Sequence, residues 1–290
     1  MSRFLYLALA LISLALPIQA ETVTLGDRFY EVELPAKPQG APLILALHGG
    51  GGTPDQFART SGLGRVAAKA GYVVIFPAGT GRRGDRLLTW NGGYCCGAAA
   101  RTGVDDAGFL RAVIADAQTR YGIDPERVYI TGMSNGSIMS ETFAAENPDL
   151  IRALAGVSGT MDTNATKVQG RVPALIIHGT ADAMVPYGGG RGERAITRTD
   201  FASVASVVGA FLAPWGQGVS QTATTIDRRD DGTSVTVLDH RKSGKVVLRL
   251  MTVTGGAHVW PGGRKARLDE GKTEEIDANT EILRFFALYP

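Results

Sequence analysis

An α/β fold, with a mostly parallel central sheet and helices on both faces, follows from two features of this 290-residue sequence. Short, uninterrupted apolar runs recur along the chain, and between them lie stretches whose apolar residues have helical spacing. Apolar runs without alternation mark strands covered on both sides. Strands alternating with helices imply parallel neighbours joined by crossovers.

The elements follow in order. Leu43-Ile44-Leu45-Ala46-Leu47 is read as a buried strand, residues 63–70 as a helix, and Tyr72-Val73-Val74-Ile75-Phe76 as the next strand. From Asp106, the residues Phe109, Leu110, Val113, Ile114, Ala117 and Tyr121 keep to one helical face, and Gly122 supplies the stop. Residues 128–131 form a strand. The helix after it carries Ile138, Met139, Thr142 and Phe143 and closes at Asn147-Pro148. Strands are expected over 153–157, 174–177 and 246–253, and helices over 201–211 and 275–288, with Trp215 assigned to the core. Residues 22–25 and 29–34 read as an antiparallel pair at the sheet edge. Residues 234–239 alternate polar and apolar and meet a Ser243-Gly244 turn, which predicts a hairpin with the 246 strand. Residues 188–244 are therefore expected to form a small insertion, with no large cap domain.

Apolar residues make up 44% and charged residues 20%, with a net charge of +2. This composition suits one globular domain and provides no basic stripe for nucleic acid. The densest basic group, Arg82, Arg83 and Arg86, lies among glycines and reads as a solvated loop. Met1-Ser2-Arg3, an apolar run over 4–16 and Pro17-Ile18-Gln19-Ala20 have the pattern of a signal peptide cleaved after Ala20. The run is shorter than the ~20 residues of a bilayer span. Residues 1–20 are thus expected to direct secretion, periplasmic or extracellular, and residues 21–290 to form the catalytic domain. Losing Arg3 would lower the charge to +1. The two cysteines, Cys95 and Cys96, are adjacent. A vicinal disulfide, two buried thiols and pairing between molecules are all open. The first is favoured in an oxidising compartment with no other partner available.

Gly132-Met133-Ser134-Asn135-Gly136 fits G-x-S-x-G between a strand and a helix, the setting of a nucleophile elbow. Ser134 needs a base, because a serine hydroxyl alone is a weak nucleophile. His48-Gly49-Gly50-Gly51-Gly52 follows the 43–47 strand, so the backbone N–H groups of Gly50 (or Gly51) and Asn135 are assigned to an oxyanion hole. The Gly-Lys-Ser/Thr ending of a phosphate loop is missing. The chain order Ser…Asp…His selects Asp182, after the penultimate parallel strand, and His258, after the last. His48 and His178 are assigned structural roles, His240 a solvated one, and Asp105 and Asp106 helix capping. No histidine pair has zinc spacing, so no metal or other cofactor is expected.

Taken together, Leu47-His48-Gly49-Gly50, Trp90-Asn91 with Cys95-Cys96-Gly97, Val104-Asp105-Asp106, the serine motif, His178-Gly179-Thr180-Ala181-Asp182 with Val185-Pro186-Tyr187, and Gly256-Ala257-His258-Val259-Trp260-Pro261-Gly262 resemble the polyhydroxybutyrate-depolymerase-like esterases, a group that includes feruloyl and acetylxylan esterases. The resemblance implies a secreted α/β-hydrolase with the triad Ser134, Asp182 and His258. Its substrates would be hydroxyalkanoate oligomers or polymer, or alternatively feruloyl or acetyl esters of plant polysaccharide. A serine peptidase of the same fold is disfavoured by the lack of a gating domain. A non-catalytic binding protein on this scaffold is disfavoured because every catalytic position is filled. Trp90, Tyr94, Tyr187 and Trp260 flank the motifs and are candidate substrate contacts.

Overall fold

The computed structural model describes residues 21–82, 84–264, 271 and 273–290. The expected signal segment, residues 1–20, and Arg83 of the basic group lie outside them. In chain order the strands are β1 (Glu21–Leu25), β2 (Arg28–Glu33), β3 (Leu43–Leu47), β4 (Val73–Pro77), β5 (Val128–Met133), β6 (Ala153–Val157), β7 (Ala174–Gly179), β8 (Ser220–Ile226), β9 (Ser234–Lys242) and β10 (Lys245–Thr254). The helices are α1 (Pro54–Ser61), α2 (Leu63–Lys69), α3 (Gly97–Thr102), α4 (Asp106–Tyr121), α5 (Asn135–Glu146), α6 (Val204–Leu212) and α7 (Ala278–Phe286).

The strands form one ten-stranded sheet in the order β1-β2-β4-β3-β5-β6-β7-β10-β9-β8. Its centre, from β4 to β10, is parallel throughout. Both margins are antiparallel: β1 and β2 on one side, β9 and β8 on the other. Side chains alternate across a strand, so a fully apolar strand feeds two cores. In β3, Leu43, Leu45 and Leu47 join Leu110 and Val113 of α4, Phe143 of α5 and Phe211 of α6. Ile44 and Ala46 join Phe57 of α1, Leu63 of α2 and Phe285 of α7 on the opposite face. Truncating one such leucine or isoleucine to alanine costs about 2–5 kcal/mol.

Three expectations change. β8, Ser-Gln-Thr-Ala-Thr-Thr-Ile, is exposed along nearly its whole length and has no apolar pattern to read, yet it pairs with β9 through seven register positions. The end of the expected insertion thus widens the main sheet. Trp215 ends a partly exposed 3-10 turn, with the Arg171 guanidinium 5.7 Å from its ring, and is not core. His240 is buried on β9 and not solvated, and burial lowers its pKa. α1 and α3 are additional. In α1, the Thr53 hydroxyl caps the Gln56 N–H at 3.2 Å and Pro54 starts the first turn. No helix among the described residues is long and apolar enough to cross a membrane.

Candidate active site

Ser134 stands between the last residue of β5 and the first of α5. Its φ of 56° and ψ of −123° put a non-glycine residue in a sparsely populated region, at a cost of about 1–3 kcal/mol. The sequence makes room for the turn. A methyl group on Gly132 would collide with the Gly136 carbonyl, and one on Gly136 with the Leu47 carbonyl oxygen. The Ser134 N–H donates to Val157 O of β6 at 2.9 Å, which fixes the turn against the sheet.

Asp182 lies three residues past β7 and His258 four past β10, so both sit at the same C-terminal sheet edge as Ser134. Nδ1 of His258 donates to Asp182 Oδ2 at 2.8 Å, which leaves Nε2 as the proton acceptor. Asp182 Oδ1 accepts the N–H groups of Met184 and Val185 at 2.9 and 2.8 Å. Burial would raise its pKa, but hydrogen bonds from His178 and His258 outweigh burial and hold the carboxyl below the usual carboxylate range. The end of β6 ties the parts together: it accepts the Ser134 N–H at Val157, and Ser158 Oγ donates to Val259 O at 3.4 Å.

The role of His178 exceeds the structural one expected. Its Nε2 donates to Val185 O at 2.8 Å and lies 3.4 Å from Asp182 Oδ2. The same carboxylate oxygen, Asp182 Oδ2, therefore faces two histidine rings.

Gly50 and Asn135 face each other: a Cβ on Gly50 would sit 3.4 Å from that of Asn135. The Asn135 N–H opens α5, where no intrahelical acceptor exists. Neither it nor the Gly50 N–H donates to a backbone acceptor among the described residues. His48 props the loop, donating from Nδ1 to Gly49 O at 2.8 Å and accepting Gly79 N–H at Nε2 at 3.0 Å. Burial pushes its pKa down to about 4, so it stays neutral. The Asn135 side chain clamps the backbone of Trp90, accepting its N–H at 2.7 Å and donating to its carbonyl at 3.0 Å.

The four aromatic candidates separate. Trp90 is fully buried and donates from Nε1 to His48 O at 3.0 Å, so it supports the glycine loop and is no substrate contact. Trp260 is also buried, donating to Asn279 Oδ1 at 3.1 Å and packing edge-on against Phe57. Tyr94 and Tyr187 are half-buried with their hydroxyls engaged by protein, Tyr94 with Thr160 O at 2.6 Å and Tyr187 with Thr252 Oγ1 at 2.8 Å. Cys95 and Cys96 are paired through their sulfurs, with a cis peptide between them. Their loop is held by Gly92 N–H on Cys95 O at 2.7 Å and Cys96 N–H on Trp90 O at 2.9 Å.

Two buried acids go beyond the sequence reading. Asp105 caps α4 as expected, accepting the Gly108 N–H at 2.7 Å. Asp106 does not cap. It pairs with Arg28 at 2.7 Å and accepts the Asn91 N–H at 2.7 Å, fixing the residue beside Trp90. Glu141, on α5 behind the elbow, is fully buried, and burial raises its pKa to about 8. Its sequence signal is weak: Glu141 is the one charged residue in the run 135–145, and that the helix is buried on every side there is seen only in the structure. Among the described residues, no group of three His, Cys, Asp or Glu side chains could hold a metal ion.

A parallel sheet with a strained serine turn after one strand, and an Asp–His pair after two others, defines an α/β-hydrolase. Residues 30–170 match the family described as Esterase PHB depolymerase. The chain is 30% identical over 240 residues to the NocK esterase-family protein of Nocardia uniformis subsp. tsuyamanensis, covering 79% of this chain and 68% of that one. It is 27% identical over 239 residues to a feruloyl esterase B of Piromyces equi, covering 78% of this chain but only 41% of that longer protein. An acetyl xylan esterase from Aspergillus awamori has the same fold, with a TM-score of 0.59 at 16% identity over 93% of this chain and 99% of that one. The chain belongs to the polyhydroxybutyrate-depolymerase family of esterases, whose reaction is carboxylic ester hydrolysis.

Proposed function

We propose that this chain is a secreted serine esterase that cleaves hydroxyalkanoate oligomers through an acyl-enzyme. The observation that carries the reading is the 2.8 Å His258–Asp182 hydrogen bond at the sheet edge where the elbow presents Ser134. His258 Nε2 takes the Ser134 proton as Oγ attacks the ester carbonyl, and Asp182 fixes the tautomer and stabilises the imidazolium. The N–H groups of Gly50 and Asn135 receive the developing oxyanion, and losing one such donor commonly costs ~3–4 kcal/mol. His258 then protonates the leaving alcohol, and water, activated by the same imidazole, releases the acid. The family description supports hydroxyalkanoates. Feruloyl or acetyl esters of plant polysaccharide are the second reading, favoured by the likeness to the Piromyces and Aspergillus enzymes. Export rests on the pattern of residues 1–20, with Glu21 as the mature N-terminus.

Ser134→Ala and His258→Ala should each abolish hydrolysis of p-nitrophenyl esters with the fold intact, and Ser134→Ala should also lose fluorophosphonate labelling. Near-wild-type turnover in either variant would overturn the triad. A panel of hydroxybutyrate oligomers, methyl ferulate and acetylated xylan separates the two substrate readings.

A further inference from the structure

The two N–H groups assigned to the oxyanion come from separate parts of the fold. β3 and β5 pair as far as Leu47 opposite Gly132, and Gly50 and Asn135 each stand three residues beyond that last pair. Sheet pairing therefore does not set the gap between them. Gly51 is not the alternative donor, because its N–H is spent on Leu88 O at 2.7 Å. An oxyanion is stabilised only when its donors lie about 2.7–3.1 Å from the position it will occupy, so something must hold Gly50 and Asn135 in register.

Trp90 spans that gap by direct contact. Its N–H donates to Asn135 Oδ1 at 2.7 Å, and its carbonyl accepts from Asn135 Nδ2 at 3.0 Å. Its indole Nε1 donates to His48 O at 3.0 Å, two residues before Gly50, and its ring centroid lies 5.0 Å from that of His48. Trp90, His48 and Asn135 are all buried. The residues flanking Trp90 complete the bracket: the Leu88 N–H donates to Gly52 O at 3.3 Å, and the Asn91 N–H is held by Asp106 of α4. A buried tryptophan needs only one acceptor for its indole, as Trp260 finds in Asn279 Oδ1. Trp90 instead joins the loop of one donor to the side chain of the other.

We propose that Trp90 is a positioning residue of the oxyanion hole, which sets the separation of the Gly50 and Asn135 N–H groups by bonding to both of their segments. The inference rests on the serine-esterase reading above. The two links act in series, from His48 O to the indole and from the Trp90 backbone to the Asn135 side chain. Breaking either one releases one donor from the other, so the loss falls on transition-state stabilisation and not on substrate binding.

The test pairs p-nitrophenyl acetate with its thiono analogue, in which sulfur replaces the carbonyl oxygen. Sulfur is larger and a weaker acceptor, so the oxo-over-thiono ratio of kcat/KM reads how well the donors are placed. Active sites are counted by fluorophosphonate labelling run to completion, which makes kcat a property of the folded enzyme. Trp90→Phe removes the indole N–H and keeps the backbone bonds. Loss of a whole donor costs about 10²–10³ in kcat, so a displaced one should cost about thirtyfold, with KM within about twofold and the oxo-over-thiono ratio down by about tenfold. Asn135→Ala cuts the other link, keeps its own N–H, and should lower the ratio to a similar extent. Because the links are in series, the double variant should fall no more than about threefold below the worse single variant. Trp260→Phe makes the same chemical change at a buried indole outside the bracket and should leave the ratio unchanged. A wild-type ratio in Trp90→Phe overturns the proposal, as do multiplying losses in the double variant. If Trp90→Phe does not fold, the ratio in Asn135→Ala decides. A wild-type enzyme whose ratio matches the uncatalysed reaction would remove the oxyanion hole itself, and absent fluorophosphonate labelling would remove the serine-esterase reading; the proposal falls with either.

Discussion

Glu141→Gln should stabilise this protein at alkaline pH and leave it nearly unchanged at pH 5. The Glu141 carboxyl is fully buried, with Oε1 accepting the Ser137 hydroxyl at 3.0 Å and Oε2 the Met161 N–H at 2.7 Å. Burial is the dominant influence and lifts its pKa from 4.5 to about 8, with no basic group opposing it. The folded pKa lies above the unfolded one. The stability contributed by Glu141 is therefore fully present below pH 4.5 and is lost as pH rises through about 8. That gap corresponds to about 5 kcal/mol between pH 4 and pH 9. Glutamine keeps both contacts, with Oε1 accepting the Met161 N–H and Nε2 donating to the Ser137 hydroxyl, and it is neutral throughout. Melting followed by circular dichroism at pH 5, 7 and 9 should show a variant-minus-wild-type difference near zero at pH 5. The difference should grow to roughly 5–10 °C at pH 9. Comparison at equal pH cancels the other titrating groups, His48 and Asp182 included. An equal difference at pH 5 and pH 9 would refute an uncompensated buried carboxyl.

Asn135→Ala leaves the Trp90 N–H and carbonyl without their side-chain partner, and at ~1–3 kcal/mol for each buried unpaired group it should lower the melting temperature by about 5–10 °C; a change under about 2 °C would show that the clamp contributes little. Asp182→Asn removes the acceptor for the His258 Nδ1 proton and should cut kcat by about 10⁴ with the fold retained, and turnover within tenfold of wild type would reject Asp182 as the orienting acid. Because His258 works as a base only when neutral, kcat/KM of the wild type should rise along a single acidic limb towards neutral pH, and a maximum near pH 4 would exclude a histidine base. Intact mass of the exported protein, denatured without reductant, should be two hydrogens below the dithiol value with no alkylation; two alkylated thiols per chain would refute a Cys95–Cys96 bridge.

The central strands were legible because each is covered on both faces, so every residue of Leu43-Ile44-Leu45-Ala46-Leu47 must be apolar whichever way it points. The candidate triad was legible because each member follows a strand, and chain order then sorts serine, acid and base. β8 was not, because an exposed edge strand is held by backbone hydrogen bonds and its composition carries little signal. The depth of side chains was not legible either. Trp90 and Trp260 sit beside motif residues in the chain, yet their rings face inward and their Nε1 atoms hold His48 and Asn279. His178 gained a share of Asp182, and Asp106 an ion pair with Arg28, from contacts between separate elements of the chain. Local residue chemistry thus fixed the strands and the elbow, since each depends on neighbours within a few positions, and chain order along those strands assigned the candidate acid and base. The partners of the buried polar groups depended on which distant backbones the sheet brought within hydrogen-bonding reach, and that proximity is a property of the folded chain alone.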